Sequence, residues 1–140
     1  MLIRMTRDRT PTSARRLLAA TLVALPLLAA CGKSAGTSTN TKNPLPANPS
    51  FTVTGTDNKF DTKEYAAKAG DVAIAYYNKG NVNHTLVVKA SDGTRMGERL
   101  LLTPGNSGGV TLPLPAGTYE LYCDVAGHKE SGMDAKLTVG

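Results

Sequence analysis

The sequence is poor in the residues that usually announce a function. It has two cysteines and two histidines in 140 residues. It has no apolar run of the 18 or more residues that a membrane-spanning helix needs. Its apparent excess of basic charge also disappears on inspection. The chain holds 16 basic and 11 acidic residues, but residues 1–30 alone carry five Arg and one Asp. Residues 31–140 are therefore left with 11 basic and 10 acidic side chains, a net charge of +1. No basic stripe exists to bind a nucleic acid, and none is expected as a partner.

The first 30 residues read as an export signal. Arg4, Arg7, Arg9, Arg15 and Arg16 form a basic leader, and Leu17 to Ala30 is an apolar run of the length of a signal core. The run ends in Leu28-Ala29-Ala30-Cys31, which resembles a bacterial lipobox. That resemblance implies that Cys31 is lipidated and becomes the first residue of the mature chain. The alternative is an ordinary cleavage site followed by an unrelated cysteine. A lipidated Cys31 leaves Cys123 as the only thiol, which excludes a disulfide within the domain. A lone thiol in an oxidising compartment is a liability unless it is buried or bound to a metal. The expected location is extracytoplasmic, anchored by lipid to a bacterial membrane and facing the periplasm or the cell exterior.

Residues 31–49 contain almost no large apolar side chains and read as a flexible tether. From Phe51 onward, apolar and polar residues alternate with period two. Phe51 and Val53, Val110 to Leu114, Tyr119 to Cys123 and Met133 to Val139 all follow this pattern, as half-buried strands do. Val72–Tyr77, His84–Lys89 and Arg99–Leu102 are further β-rich runs. Turn chemistry separates them, for example Asn78-Lys79-Gly80-Asn81 and Pro115-Ala116-Gly117. A single helical turn is expected at Thr62–Ala67. Seven to eight short strands in residues 50–140 predict an all-β, antiparallel Greek-key sandwich.

The scarce residues fall into a pattern. Cys123, His128 and Met133 lie in Tyr-Cys-Asp-Val-Ala-Gly-His-Lys-Glu-Ser-Gly-Met, a C-x4-H-x4-M spacing, and His84 opens the strand His-Thr-Leu-Val-Val. A thiolate, two imidazoles and a thioether suit one copper ion, held in a Cys-His-His plane with a weak axial Met. The alternation turns Cys123 inward with Leu121 and Tyr119, and Met133 inward with Leu137 and Val139. Asp124, next along the strand, is expected to face solvent.

With these residues in view, the chain resembles the cupredoxins, the type 1 blue copper family of plastocyanin and azurin. Its ligand spacing is most similar to that of auracyanin and rusticyanin. The resemblance covers residues 51–140 and rests on Lys68-Ala69-Gly70-Asp71, Tyr77-Asn78-Lys79-Gly80, Asn83-His84, Pro115-Ala116-Gly117-Thr118-Tyr119, Tyr122-Cys123, Gly127-His128 and Gly132-Met133. It implies His84, Cys123 and His128 as equatorial copper ligands and Met133 as the axial one. Asn83 and Thr85 flank the site as supporting residues, and Thr85 stands where many relatives carry Asn.

The implied function is single-electron transport by a Cu(I)/Cu(II) couple, with no substrate transformed and no enzymatic step. Redox protein partners would dock near His128, over a small apolar area at Val125, Ala126 and Gly127, and the protein is expected to be a monomer. Two other functions use the same residues: copper delivery or storage, and a Cys–His hydrolase built on Cys123 and His128. The hydrolase lacks an obvious orienting third residue or oxyanion loop.

Overall fold

The computed structural model of the protein describes residues 38–39 and 42–140. The expected export signal at 1–30 and the expected lipidation site at Cys31 lie outside them. The described residues form ten strands and one helical turn. The strands are β1 (Ser38–Thr39), β2 (Phe51–Thr56), β3 (Lys59–Phe60), β4 (Glu64–Ala67), β5 (Gly70–Asn78), β6 (His84–Ala90), β7 (Leu100–Leu102), β8 (Asn106–Leu114), β9 (Gly117–Tyr122) and β10 (Asp134–Val139). The turn, α1 (His128–Ser131), lies between β9 and β10.

Two five-stranded sheets form, ordered β1-β8-β5-β2-β3 and β4-β10-β9-β6-β7. The expected β architecture is present, but each sheet is mixed. β2 runs parallel to β5 and β4 parallel to β10, while β5/β8, β6/β9 and β9/β10 are antiparallel. Local alternation reveals a strand but not the direction of its neighbour, which long-range pairing decides.

The core is filled from both sheets. Val53, Val72, Ile74, Leu114, Leu121 and Leu137 are fully buried, with Leu86 and Leu112 nearly so. In β10 the burial follows the sequence alternation, with Ala135, Leu137 and Val139 inside and Lys136 and Thr138 outside. β6 departs from it. Residues His84 to Val88 are all buried, so this strand is covered on both faces and its sequence reads as a continuous run.

The segment expected as a helical turn at Thr62–Ala67 is instead β4. Its residues Glu64 to Ala67 pair in parallel register with Lys136 to Val139. Tyr65 is buried, stacks on Phe51 with ring centroids 5.0 Å apart, and donates its hydroxyl proton to Asp61 at 2.7 Å. Glu64, Ala66 and Ala67 are good helix formers, but an isolated helical turn is unstable, and a sheet edge with an aromatic contact outweighs the local preference.

Part of the expected tether also lies on the domain. Ser38–Thr39 pairs with Asn106–Ser107 of β8. The Gly109 N–H donates to the Asn43 carbonyl at 3.1 Å. Gly108 and Gly109 make this contact possible, because a Cβ on Gly108 would lie 2.7 Å from the Asn43 carbonyl and one on Gly109 would strike Pro46.

Candidate metal centre

One end of the sandwich gathers the scarce side chains. Cys123 directly follows β9, Met133 directly precedes β10, and the nine residues between them contain α1. Three backbone hydrogen bonds fix this loop. The Cys123 N–H donates to the Met133 carbonyl at 2.9 Å, the Met133 N–H to the His128 carbonyl at 2.9 Å, and the His128 N–H to the Val125 carbonyl at 3.1 Å. Gly127 and Gly132 bracket α1 with φ of 80° and 127°. A side chain is disfavoured in that left-handed region, so glycine is needed at both corners of the loop.

A second loop delivers His84. Asn78, fully buried at the end of β5, donates through Nδ2 to the carbonyls of Val82 and Leu102 at 2.8 and 3.0 Å. Its Oδ1 accepts from the Gly80 N–H at 2.9 Å. Asp57 pins the same loop from outside, accepting from the Asn81 backbone and side chain at 2.6 and 2.7 Å. Those two bonds hold the Asp57 carboxyl below its ordinary range. His84 is thereby set at the first position of β6 and is fully buried.

The two loops bring His84, Cys123 and His128 together. One donor atom from each lies within 4.8 Å of the others. The Nδ1 atoms of the two histidines are 3.1 Å apart, and the Cys123 Sγ is 3.7 Å from Nδ1 of His128. Burial depresses the His84 pKa, and the neighbouring His128 adds to the effect, with Asp57 opposing it. Both depressing effects favour the neutral imidazole, the form that offers a lone pair to a metal. Its Nε2 is buried with no hydrogen-bond partner among the described residues. Gly80 presses on that side, since a Cβ there would lie 2.7 Å from Nε2.

The thiol is also prepared. Cys123 is 1% exposed, and its Sγ faces the Thr85 N–H at 3.3 Å and the Thr85 hydroxyl at 3.4 Å. Met133 is fully buried beside the core. Room for it depends on Gly55, where a Cβ would lie 3.2 Å from Met133 Cε and 2.6 Å from the Tyr76 hydroxyl.

This donor set fits one copper ion. Two imidazole nitrogens and a sulfur stand within a span that an ion bonded at about 2.0–2.3 Å comes close to bridging. A cysteine sulfur with two imidazoles is a donor combination that favours copper over hard cations. His128 is half-buried and Ala126 and Gly127 are exposed, so this end of the molecule presents a small surface beside the cluster.

The supporting residues named from sequence divide. Thr85 is buried against Cys123, whereas Asn83 is exposed. Asp124 does not face solvent as expected. Its Oδ1 accepts the Thr85 hydroxyl at 2.8 Å, its N–H donates to the Thr85 Oγ1 at 2.8 Å, and Arg99 binds both carboxylate oxygens at 3.2 and 3.3 Å. The strand ends at Tyr122, so the alternation that would turn Asp124 outward no longer applies one residue past Cys123. Asn78, Asp57, Gly55 and Arg99 were not identified from sequence. The first lay in a recognised turn motif, but the others support the site only through contacts distant along the chain.

The same architecture is found in solved proteins. A dithionite-reduced auracyanin from Roseiflexus castenholzii is 20% identical, with a TM-score of 0.59 over 68% of this chain and 99% of that one. Auracyanin A, a "blue" copper protein from Chloroflexus aurantiacus, is 25% identical, with a TM-score of 0.55 over 64% of this chain and 97% of that one. An azurin from Methylomonas sp. strain J is 17% identical, with a TM-score of 0.57 over 67% and 99% of the two chains. No curated protein matches the chain by sequence. The family model for the cupredoxin-like domain matches residues 19–139, most of the chain, and the protein belongs to that family.

Proposed function

We propose that the protein is an exported, membrane-tethered type 1 copper protein that carries single electrons between redox partners. The observation that carries this reading is the buried grouping of His84, Cys123 and His128 within one end of a cupredoxin sandwich. In this reading those three residues are the equatorial ligands and Met133 the axial one. A bound copper ion supplies one-electron chemistry between its Cu(I) and Cu(II) states.

The chain's own residues do the rest. Thr85 holds the Cys123 sulfur through its backbone N–H. The Cys123–Met133 and Met133–His128 backbone bonds fix the backbone of the ligand loop in advance, which limits the rearrangement needed to receive an ion. Burial of Cys123 and His84 keeps water from the site. His128, half-buried, brings its imidazole toward the surface at Ala126 and Gly127, where partners would dock.

The same burial weighs against the two alternatives. A thiol 1% exposed is poorly placed to attack a substrate, and ligands sealed in a fixed loop release metal slowly. The membrane tether rests on the lipobox resemblance at Cys31. No helix among the described residues is long and apolar enough to cross a membrane.

The visible spectrum of the copper-loaded, oxidised protein tests the reading. An intense thiolate-to-copper band that bleaches on reduction is expected, together with electron self-exchange far faster than copper release. A colourless loaded protein rejects the site, and rapid copper loss favours delivery. The tether has a separate test. Wild type should fractionate with membranes and need detergent for release, and Cys31→Ala should not.

A further inference from the structure

The side chain of Thr85 is in a competition that it cannot satisfy. Its hydroxyl carries one proton, and two acceptors stand beside it: Asp124 Oδ1 at 2.8 Å and Cys123 Sγ at 3.4 Å. The Asp124 N–H already donates to the hydroxyl oxygen at 2.8 Å, so the group is held in place and only its proton has a choice. Arg99 touches the same carboxylate with Nη1, at 3.2 and 3.3 Å from its two oxygens. The Arg99 side chain is 51% exposed and that of Asp124 21%, whereas Thr85 and Cys123 are buried. A chain of polar contacts therefore runs from a surface guanidinium to the buried sulfur.

We infer that Arg99 and Asp124 are positioning residues that set the reduction potential by deciding how far the Thr85 hydroxyl proton is shared with the Cys123 sulfur. This rests on the copper reading given above. When Arg99 occupies the Asp124 carboxylate, that carboxylate is a weaker acceptor and the proton is freer to reach sulfur. A hydrogen bond to the thiolate draws electron density from it and disfavours the oxidised metal, so the potential rises. Without Arg99, Asp124 keeps the proton, sulfur loses that bond, and the potential falls. The arrangement needs a carboxylate after the cysteine, a hydroxyl after the first histidine, and an arginine on the approach to β7.

A double-mutant cycle separates this relay from the ordinary field of a nearby charge. Arg99→Gln should lower the potential in the wild-type background. The same change should have a clearly smaller effect in Thr85→Val, which has no hydroxyl, and its effect should return in Thr85→Ser. A through-space charge effect would not depend on the hydroxyl, so equal shifts in the wild type and Thr85→Val overturn the proposal. No shift in the wild type also overturns it.

A second measurement needs no metal. In the metal-free protein, the buried Thr85 hydroxyl proton should give a slowly exchanging resonance in proton NMR. Arg99→Gln should move it, and an unmoved resonance overturns the proposal even where Thr85→Val does not hold copper. Failure of the copper reading would look different: a wild-type protein without a thiolate band, whatever the hydroxyl proton does.

Discussion

The middle of the sandwich and its ligand-bearing end are built from opposite chemistry on the same strands. In the middle, Val53, Ile74, Leu121 and Leu137 meet across the sheets with nothing to hydrogen-bond. At the end, His84, Thr85, Asn78 and Cys123 are equally buried, yet each carries a polar or soft atom. The middle derives its stability from area removed from water, which is non-directional and tolerant of shape. The end must satisfy directions: Asn78 makes three bonds to hold a loop, and Thr85 makes two to Asp124 alone. The strands of the middle hold up a site that their own packing does not require.

The sharpest break between the regions should come from Cys123→Ser. It removes the only thiol among the described residues and should abolish the visible band altogether while the far-UV spectrum of the domain persists. A variant that keeps its colour would show that Cys123 is core filling and nothing more.

The converse change should hurt stability and spare the site. Leu121→Ala, two residues before Cys123, should destabilise the domain by about 2–5 kcal/mol in denaturant unfolding. Below its unfolding transition the variant should show the wild-type band. A shifted band in the folded variant would mean that core and site are not separable.

Met133 sits on the border, fully buried like the core yet beside the ligands in sequence. Met133→Leu nearly conserves volume and should cost less than about 1.5 kcal/mol. As an axial ligand its loss should retain the thiolate band and raise the potential, while Met133→Gln should lower it, because a harder oxygen donor favours Cu(II). Potentials unchanged in both variants, at intact copper stoichiometry, would assign Met133 to the core.

The smallest effect is expected on the outer face of β9. There Glu120 pairs with Lys89 at 2.6 Å and Lys129 at 2.5 Å, and both lysines lie over the Tyr122 ring. Partial burial pushes the Glu120 carboxyl up, but the two lysines outweigh it and the net shift is downward. A depressed carboxyl contributes stability above its unfolded pKa, and that contribution is lost as pH falls through the folded value. Glu120→Gln should thus cost about 0.2–1 kcal/mol at neutral pH. The cost should vanish in strong acid, with the band and potential little changed. A cost that persisted in acid would point to lost packing and not to charge.

The sequence by itself determined the strands, the inward direction of Cys123 and Met133, and the identity of the scarce donors. These follow from period-two alternation and from side-chain chemistry, both of which are local. Its motifs also carried the family resemblance, because ligand spacing in one loop is a property of one stretch of chain. Only the tertiary structure decided what depends on distant partners. Glu64 to Ala67 became a strand because β10 was beside it. Asn43 to Pro46 lay against β8 because two glycines left room. Asp124 turned toward Thr85 and Arg99, which lie 39 and 25 residues away in the chain. Alternation carries one residue past a strand end, to Cys123 and Met133, but Asp124 stands two residues beyond β9, so its orientation was set by the hydrogen bonds available across the loops.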